Sequence, residues 1–241
     1  MTSTAIMDRD LEAVSAHERG IGVLQEAGQE FRSIREAIDG MAERRAEDVF
    51  LISPETGRVL TFAGMRRNAR AVSARLRKAG LDRGDKAAFL MDNGVFTAQL
   101  FLGTMYAGLV SVPLNVRAGI AQLASTLEHC EAKVVFVEDQ YKALAKEALA
   151  GAACAPELIS ADVDSLAEES VTQFEDPPWG PPAGEDPALL MYSSGSVGRP
   201  KAAIHTHRSV LAHGRNSILS HRLTPTDRSL SSRDGKSSRC R

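Results

Sequence analysis

The sequence predicts an α/β fold, a mostly parallel sheet flanked by helices, and three observations carry that expectation. From Lys86 to Ala150 short apolar runs alternate with helix-length amphipathic stretches, the pattern of strands joined by right-handed crossovers. Val134-Val135-Phe136-Val137 is a continuous apolar run, as expected of a strand buried on both faces. Gly108 and Pro113 bracket a mostly apolar run, Leu109 to Val112, so the punctuation falls at its ends.

In chain order, the first residues are polar and weakly patterned, and a helical lead is expected over residues 1–45. Its clearest part has Phe31, Ile34, Ile38 and Met41 at helical spacing. Val49–Ile52 and Val59–Thr61 flank Pro54-Glu55-Thr56-Gly57 and read as a hairpin. Thr61 is placed to cap the next helix, whose Met65, Ala69, Val72 and Leu76 form one apolar stripe and which Gly80 ends. The opposite face carries Arg66, Arg67, Arg70, Arg75, Arg77 and Lys78. No aromatic residues are interleaved, so it reads as a solvated surface rather than a nucleic-acid site, with Asp82 and Asp85 expected to offset it. The alternating unit then predicts strand 87–91, helix 95–106, strand 109–112, helix 120–128, strand 134–137 and helix 141–150.

From Asn93 to Val116 there is no charged residue, a length that raises the question of a membrane span. Asn93, Gln99, Asn115, Pro113 and interspersed glycines break it, and a buried helix turning into a buried strand is the expectation. The formal net charge is −2 over 241 residues, too small to recruit nucleic acid or an acidic membrane by a global field. Cys130, Cys154 and Cys240 show neither metal-ligand nor disulfide-framework spacing. Asp8, Arg9 and Asp10 interrupt any signal-like apolar core. A cytoplasmic protein with a small-molecule partner is the expectation.

Residues 161–187 form an acidic, proline-rich loop: Ala161 to Asp186 holds eight acidic residues and no basic one. Trp179, between Pro177-Pro178 and Pro181-Pro182, is read as pinning this connection to the surface. The chain then re-enters the sheet at Ala188–Tyr192 and delivers Ser193-Ser194-Gly195-Ser196-Val197-Gly198-Arg199-Pro200-Lys201. Serine hydroxyls, backbone N–H groups freed by glycine and one ammonium suit an anion. Gly195-x-x-Gly198-x-x-Lys201 does not have the GxxxxGK[ST] frame of a P-loop, and no GxGxxG follows a strand. On glycine and serine alone, a plain hairpin tip stays open. After Lys201 a short strand is expected over 202–205, then a helix from Thr206 or His207 to about Leu219. His205 and His207 lack a third ligand and read as capping or packing residues.

The full string, Tyr-Ser-Ser-Gly-Ser-x-Gly-x-Pro-Lys followed by His205-Thr206-His207, resembles the signature phosphate loop of the adenylate-forming superfamily. That superfamily includes acyl- and aryl-CoA synthetases, firefly-type luciferases and peptide-synthetase adenylation domains. Leu60-Thr61-Phe62, Gly84-Asp85-Lys86 and Tyr106-Ala107-Gly108-Leu109-Val110-Ser111-Val112-Pro113-Leu114-Asn115 resemble further family segments, so the likeness runs from about Phe31 to Arg228. It implies an incomplete large N-terminal domain, with the partial AMP-binding domain at 46–228. It also implies ligase chemistry with ATP, Mg2+ and CoA on a small carboxylic acid, fatty acids included, and phosphate binding by Ser193, Ser194, Gly195, Ser196, Gly198 and Lys201. The string is closer to CoA ligases than to peptide-synthetase domains.

Two positions depart from the family pattern. Val197 stands where Thr or Ser is usual and removes a hydroxyl donor; Ala202 stands where Gly is usual. The family's adenine, ribose and hinge motifs and its catalytic lysine have no counterpart in these 241 residues. Residues 229–241, rich in serine and arginine, are expected to be a disordered, non-native tail such as a frameshift produces. The sequence therefore reads as a truncated AMP-forming CoA ligase, inactive alone. A nucleotide-binding module without catalysis and a non-functional remnant are the alternatives.

Overall fold

The computed structural model describes residues 31–54, 56–161, 175–193, 201–224, 227–231 and 237–240. The described chain begins at α1 (Ile34–Arg44), capped by Ser33, whose Oγ accepts the Glu36 N–H at 3.2 Å. That bond satisfies one of the donors a helix start leaves open. β1 (Val49–Ile52) and β2 (Val59–Thr61) form the antiparallel hairpin read from sequence, and Gly57 takes the left-handed φ of 66° its turn requires.

Thr61 closes β2 and caps α2 (Phe62–Lys78), its Oγ1 accepting the Gly64 N–H at 3.1 Å. The stripe Met65, Ala69, Val72 and Leu76 is buried as expected. The acids that meet the basic face are not the expected ones. Arg70 faces Asp39 at 3.7 Å and Arg77 faces Glu175 at 3.6 Å, while Asp85 pairs with Lys133 at 2.6 Å. Packing brought α1 and the acidic connection to this helix, which proximity in sequence did not reveal.

The main sheet is β3 (Lys86–Leu90), β4 (Val110–Pro113), β5 (Val134–Val137), β6 (Glu157–Ser160), β7 (Pro187–Ser193) and β8 (Lys201–Thr206), in the order β6-β5-β3-β4-β7-β8. All neighbours are parallel except β7 and β8. Between strands run α3 (Val95–Tyr106), α4 (Ile120–Cys130) and, after a short 3-10 turn, α5 (Lys142–Ala150). The chain steps one way from β3 to β4 and back across β3 to β5, so right-handed crossovers place α3 on one face and α4 and α5 on the other.

The side chains follow. Ala88, Leu90, Val135 and Val137 pack with Leu123, Leu127, Ala145 and Ala148, whereas Ala87, Phe89, Val134 and Phe136 pack with Val72, Leu76 and Leu100. Successive strand residues thus enter opposite cores, which is why the apolar run at 134–137 shows no alternation. Phe89 and Phe136 stack at 5.6 Å. The uncharged stretch is α3, the Gly108 turn at φ 80° and β4, held under α2 so closely that a Cβ on Gly103 would lie 2.7 Å from the Val72 Cβ. Among the described residues no helix is long and apolar enough to cross a membrane.

Two segments differ from expectation. β6, an edge strand paired with β5, was not read from sequence because its central Leu158-Ile159 pair is too short a signal. The terminal segment, expected to lack regular structure, carries β9 (Arg228–Ser231) and β10 (Ser237–Cys240), antiparallel to each other and joined to neither other sheet. Backbone groups pair whatever the side-chain pattern, so lack of periodicity did not exclude this ribbon. In the acidic connection, Trp179 Nε1 donates to the Ala107 carbonyl at 3.0 Å, and Pro177 and Pro182 are buried. That anchor seats the connection on the turn before β4.

Candidate functional site

β7 enters the sheet beside β4, with Leu189 in register with Ser111. Beyond Leu189 its pairing runs on with β8, through Leu190–Ile204, Met191–Ala203, Tyr192–Ala202 and Ser193–Lys201. The two described residues that flank 194–200, Ser193 and Lys201, thus form one register pair at the carboxyl end of β7. β3, β4 and β5 end at that same edge of the sheet, the edge outside which ligands of open α/β sheets bind.

Of the residues singled out from sequence, the structure brings Ser193 and Lys201 together as register partners, both exposed. Ser194, Gly195, Ser196 and Gly198, with Val197, lie outside the described residues. An exposed hydroxyl opposite an exposed ammonium is a donor pair suited to an anion. Among the described residues no group of three or more His, Cys, Asp or Glu is placed to hold a metal ion.

Behind the loop, Tyr192 lies on the same side of β7 as buried Leu190 and packs on the core under α4. Its hydroxyl lies 2.7 Å from His129 Nδ1, the rings meeting edge to face at 5.6 Å. Burial pushes the Tyr192 phenol up to about 12, so the hydroxyl stays protonated, and the direction of the bond follows the imidazole tautomer. Sequence reasoning missed this pair: 63 positions separate the two residues, and nothing local links them.

At the far end of β8, Thr206 caps α6 (His207–His221), its Oγ1 accepting the Ser209 N–H at 3.2 Å. His205 faces His213, rings 5.4 Å apart, whereas His207 turns inward and is fully buried. His207 Nδ1 accepts the Ile34 N–H at 3.3 Å, tying α1 to this corner, and its Nε2 has no partner among the described residues. Desolvation lowers its pKa from 6.5 to about 4, with Asp186 opposing and Arg83 reinforcing.

The folded state keeps this ring neutral while the unfolded chain takes up a proton below pH 6.5. The contribution is intact above that pH and is lost as pH falls toward about 4, at a slope of up to about 1.4 kcal/mol per unit. Urea unfolding at pH 7 and pH 5 should show this loss, and a His207→Asn variant should show less of it.

The fold is an open α/β sheet in which the two residues flanking the loop, Ser193 and Lys201, pair at the end of β7 and the start of β8. Residues 38–233 match the sequence model of the AMP-binding enzyme family, and the chain belongs to that family. It is 38% identical over 183 residues to a sulfoacetate–CoA ligase of Cupriavidus necator, covering 75% of this chain and 36% of that protein. It is 33% identical over 161 residues to the long-chain-fatty-acid–CoA ligase FadD13 of Mycobacterium tuberculosis, covering 66% and 32%. The inhibitor-bound N-terminal domain of FACL13 from the same organism superposes with a TM-score of 0.64 at 28% identity, covering 73% of this chain and 45% of that one. The chain thus spans about a third of the length of the curated relatives it matches.

Proposed function

We propose that this chain supplies the ATP phosphate-binding part of an AMP-forming carboxylate–CoA ligase, with Ser193, Ser194, Gly195, Ser196, Gly198 and Lys201 as the cradle. The observation that supports this most is the Ser193–Lys201 register pair at the carboxyl edge of the sheet in a member of the AMP-binding family. In the proposed reaction a carboxylate oxygen attacks the α-phosphorus of ATP. Pyrophosphate leaves with the electron pair of the broken P–O bond, and the CoA thiol then displaces AMP from the acyl-adenylate to form the thioester.

The work assigned to this chain belongs to the first step. Negative charge grows on the bridging oxygen as pyrophosphate departs, and preorganised donors aimed at that charge lower the barrier. Lys201 would offset it, the serine hydroxyls and loop N–H groups would hold the β- and γ-phosphates, and the glycines would let the backbone approach. Mg2+, when bound, neutralises phosphate charge. The substrate is a small carboxylic acid, in a cytoplasmic setting, without nucleic acid. Both named relatives are CoA ligases by name, which favours CoA as the acceptor.

The residues implied for adenine, ribose and the second half-reaction have no match in this sequence, so the chain alone should bind ATP–Mg2+ and not turn over. Calorimetric titration with ATP–Mg2+, beside an ATP–pyrophosphate exchange assay with a panel of carboxylates, tests this. Binding without exchange is the expected result; absence of binding would remove the phosphate-loop assignment, and exchange would show a self-sufficient enzyme.

A further inference from the structure

The stem of the loop has support of unequal strength on its two sides. β8 is the outer strand of the sheet, and the last register pair joining β7 to β4 is Ser111–Leu189. From Leu190 to Ser193 the remaining ladder partner is β8 itself, so nothing in the strand pairing sets the angle at which this ribbon stands over the sheet edge. Along it Met191 and Ile204 are exposed, and so are Ala202 and Ala203. Leu190 and Tyr192 point inward.

Leu190 sits within the core, and Tyr192 is the last inward residue before exposed Ser193. His129, which Tyr192 meets, is an exposed residue in the last turn of α4, whose Leu123, Leu127 and Cys130 are buried in the same core. The 2.7 Å hydrogen bond and the edge-to-face ring contact therefore connect the final inward residue of the stem to that helix.

We propose that Tyr192 and His129 are positioning residues for the phosphate loop: their contact holds the stem 190–193 and 201–203 against α4, so that Ser193 and Lys201 meet a nucleotide phosphate in one geometry. The proposal rests on the nucleotide-binding reading above, and its test separates the two. Neither residue touches the phosphate; both act through the direction of the ribbon.

Tyr192→Phe keeps the half-buried ring and removes the hydroxyl, His129→Leu removes the hydroxyl's hydrogen-bond partner, and His129→Gln restores one. Amide hydrogen exchange at 201–203 and calorimetric ATP–Mg2+ affinity are measured on the full chain, with a melting curve for each variant. Tyr192→Phe and His129→Leu should speed exchange in the stem about fivefold, the worth of one neutral hydrogen bond. ATP affinity should weaken by a similar factor, and His129→Gln should recover both.

Unchanged exchange at 201–203 in Tyr192→Phe overturns the proposal. So does faster exchange with ATP affinity unaltered, or uniform loosening of the whole chain, which is a merely structural role. Faster exchange confined to the stem, in a parent chain that binds no ATP, upholds the anchor and removes the nucleotide reading instead.

Discussion

Replacing Tyr106 by alanine lowers the stability of the chain by about 3–5 kcal/mol, the range of large aromatic truncations in a close-packed core. Tyr106 closes α3 and is fully buried. Its hydroxyl lies 3.0 and 3.1 Å from the two Asp39 oxygens and receives the Arg70 Nε–H at 3.3 Å, and the Arg35 guanidinium lies 5.0 Å over its ring. Burial raises the phenol pKa, so it stays protonated and donates to Asp39.

The substitution both opens a cavity among Leu60, Met65 and Ala69 and strips a donor from a carboxylate that serves α1, α2 and α3 together. Tyr106→Phe keeps the volume and should cost about 1–2 kcal/mol through the hydrogen bonds alone. Urea unfolding of both variants checks the ratio. Equal losses would mean that the network, not the packing, holds α1 in place.

Replacing Lys201 by alanine weakens ATP–Mg2+ binding by roughly tenfold to a hundredfold, the worth of a charge-assisted contact of about 1.5–3 kcal/mol. Lys201 is the first residue of β8, exposed and opposite Ser193. Because the residue is exposed, its replacement should leave the melting temperature within about a degree, as ordinary surface substitutions do. Calorimetric titration of the variant, beside its melting curve, separates the two effects. An unchanged affinity would show that the phosphates lie elsewhere.

Much of this architecture was legible because it is written in local signals. Thr61 both ends a strand and caps a helix, Gly57 and Gly80 take the left-handed conformations their turns need, and the run at 134–137 could be nothing but apolar once both faces were covered. The helix at Val95–Tyr106 was bounded correctly because Gly94 and Gly108 flank it. β6 was not legible: two apolar residues on an edge strand do not rise above the background of a loop.

The site divides the same way. The hydroxyl, glycine and lysine pattern is what suggests an anion loop, whereas the pairing of Ser193 with Lys201 comes from the antiparallel register of β7 with β8. The contact of Tyr192 with His129, the inward turn of His207 to Ile34, and the pairing of the basic α2 face with Asp39 and Glu175 are products of packing between remote segments. Composition and periodicity carry no record of such contacts, because each residue alone fits its local element equally well without its partner.

The central claim, that the hairpin between Ser193 and Lys201 holds nucleotide phosphate, is tested most directly by an acyl-phosphate derivative of ATP that acylates a lysine lying against the phosphates. The modified residue is located by peptide mass spectrometry, with and without excess ATP–Mg2+. Acylation of Lys201, suppressed by ATP, is the result this account predicts. Labelling spread over Lys78, Lys86, Lys133 and the other surface lysines, with no protection of Lys201, would contradict it.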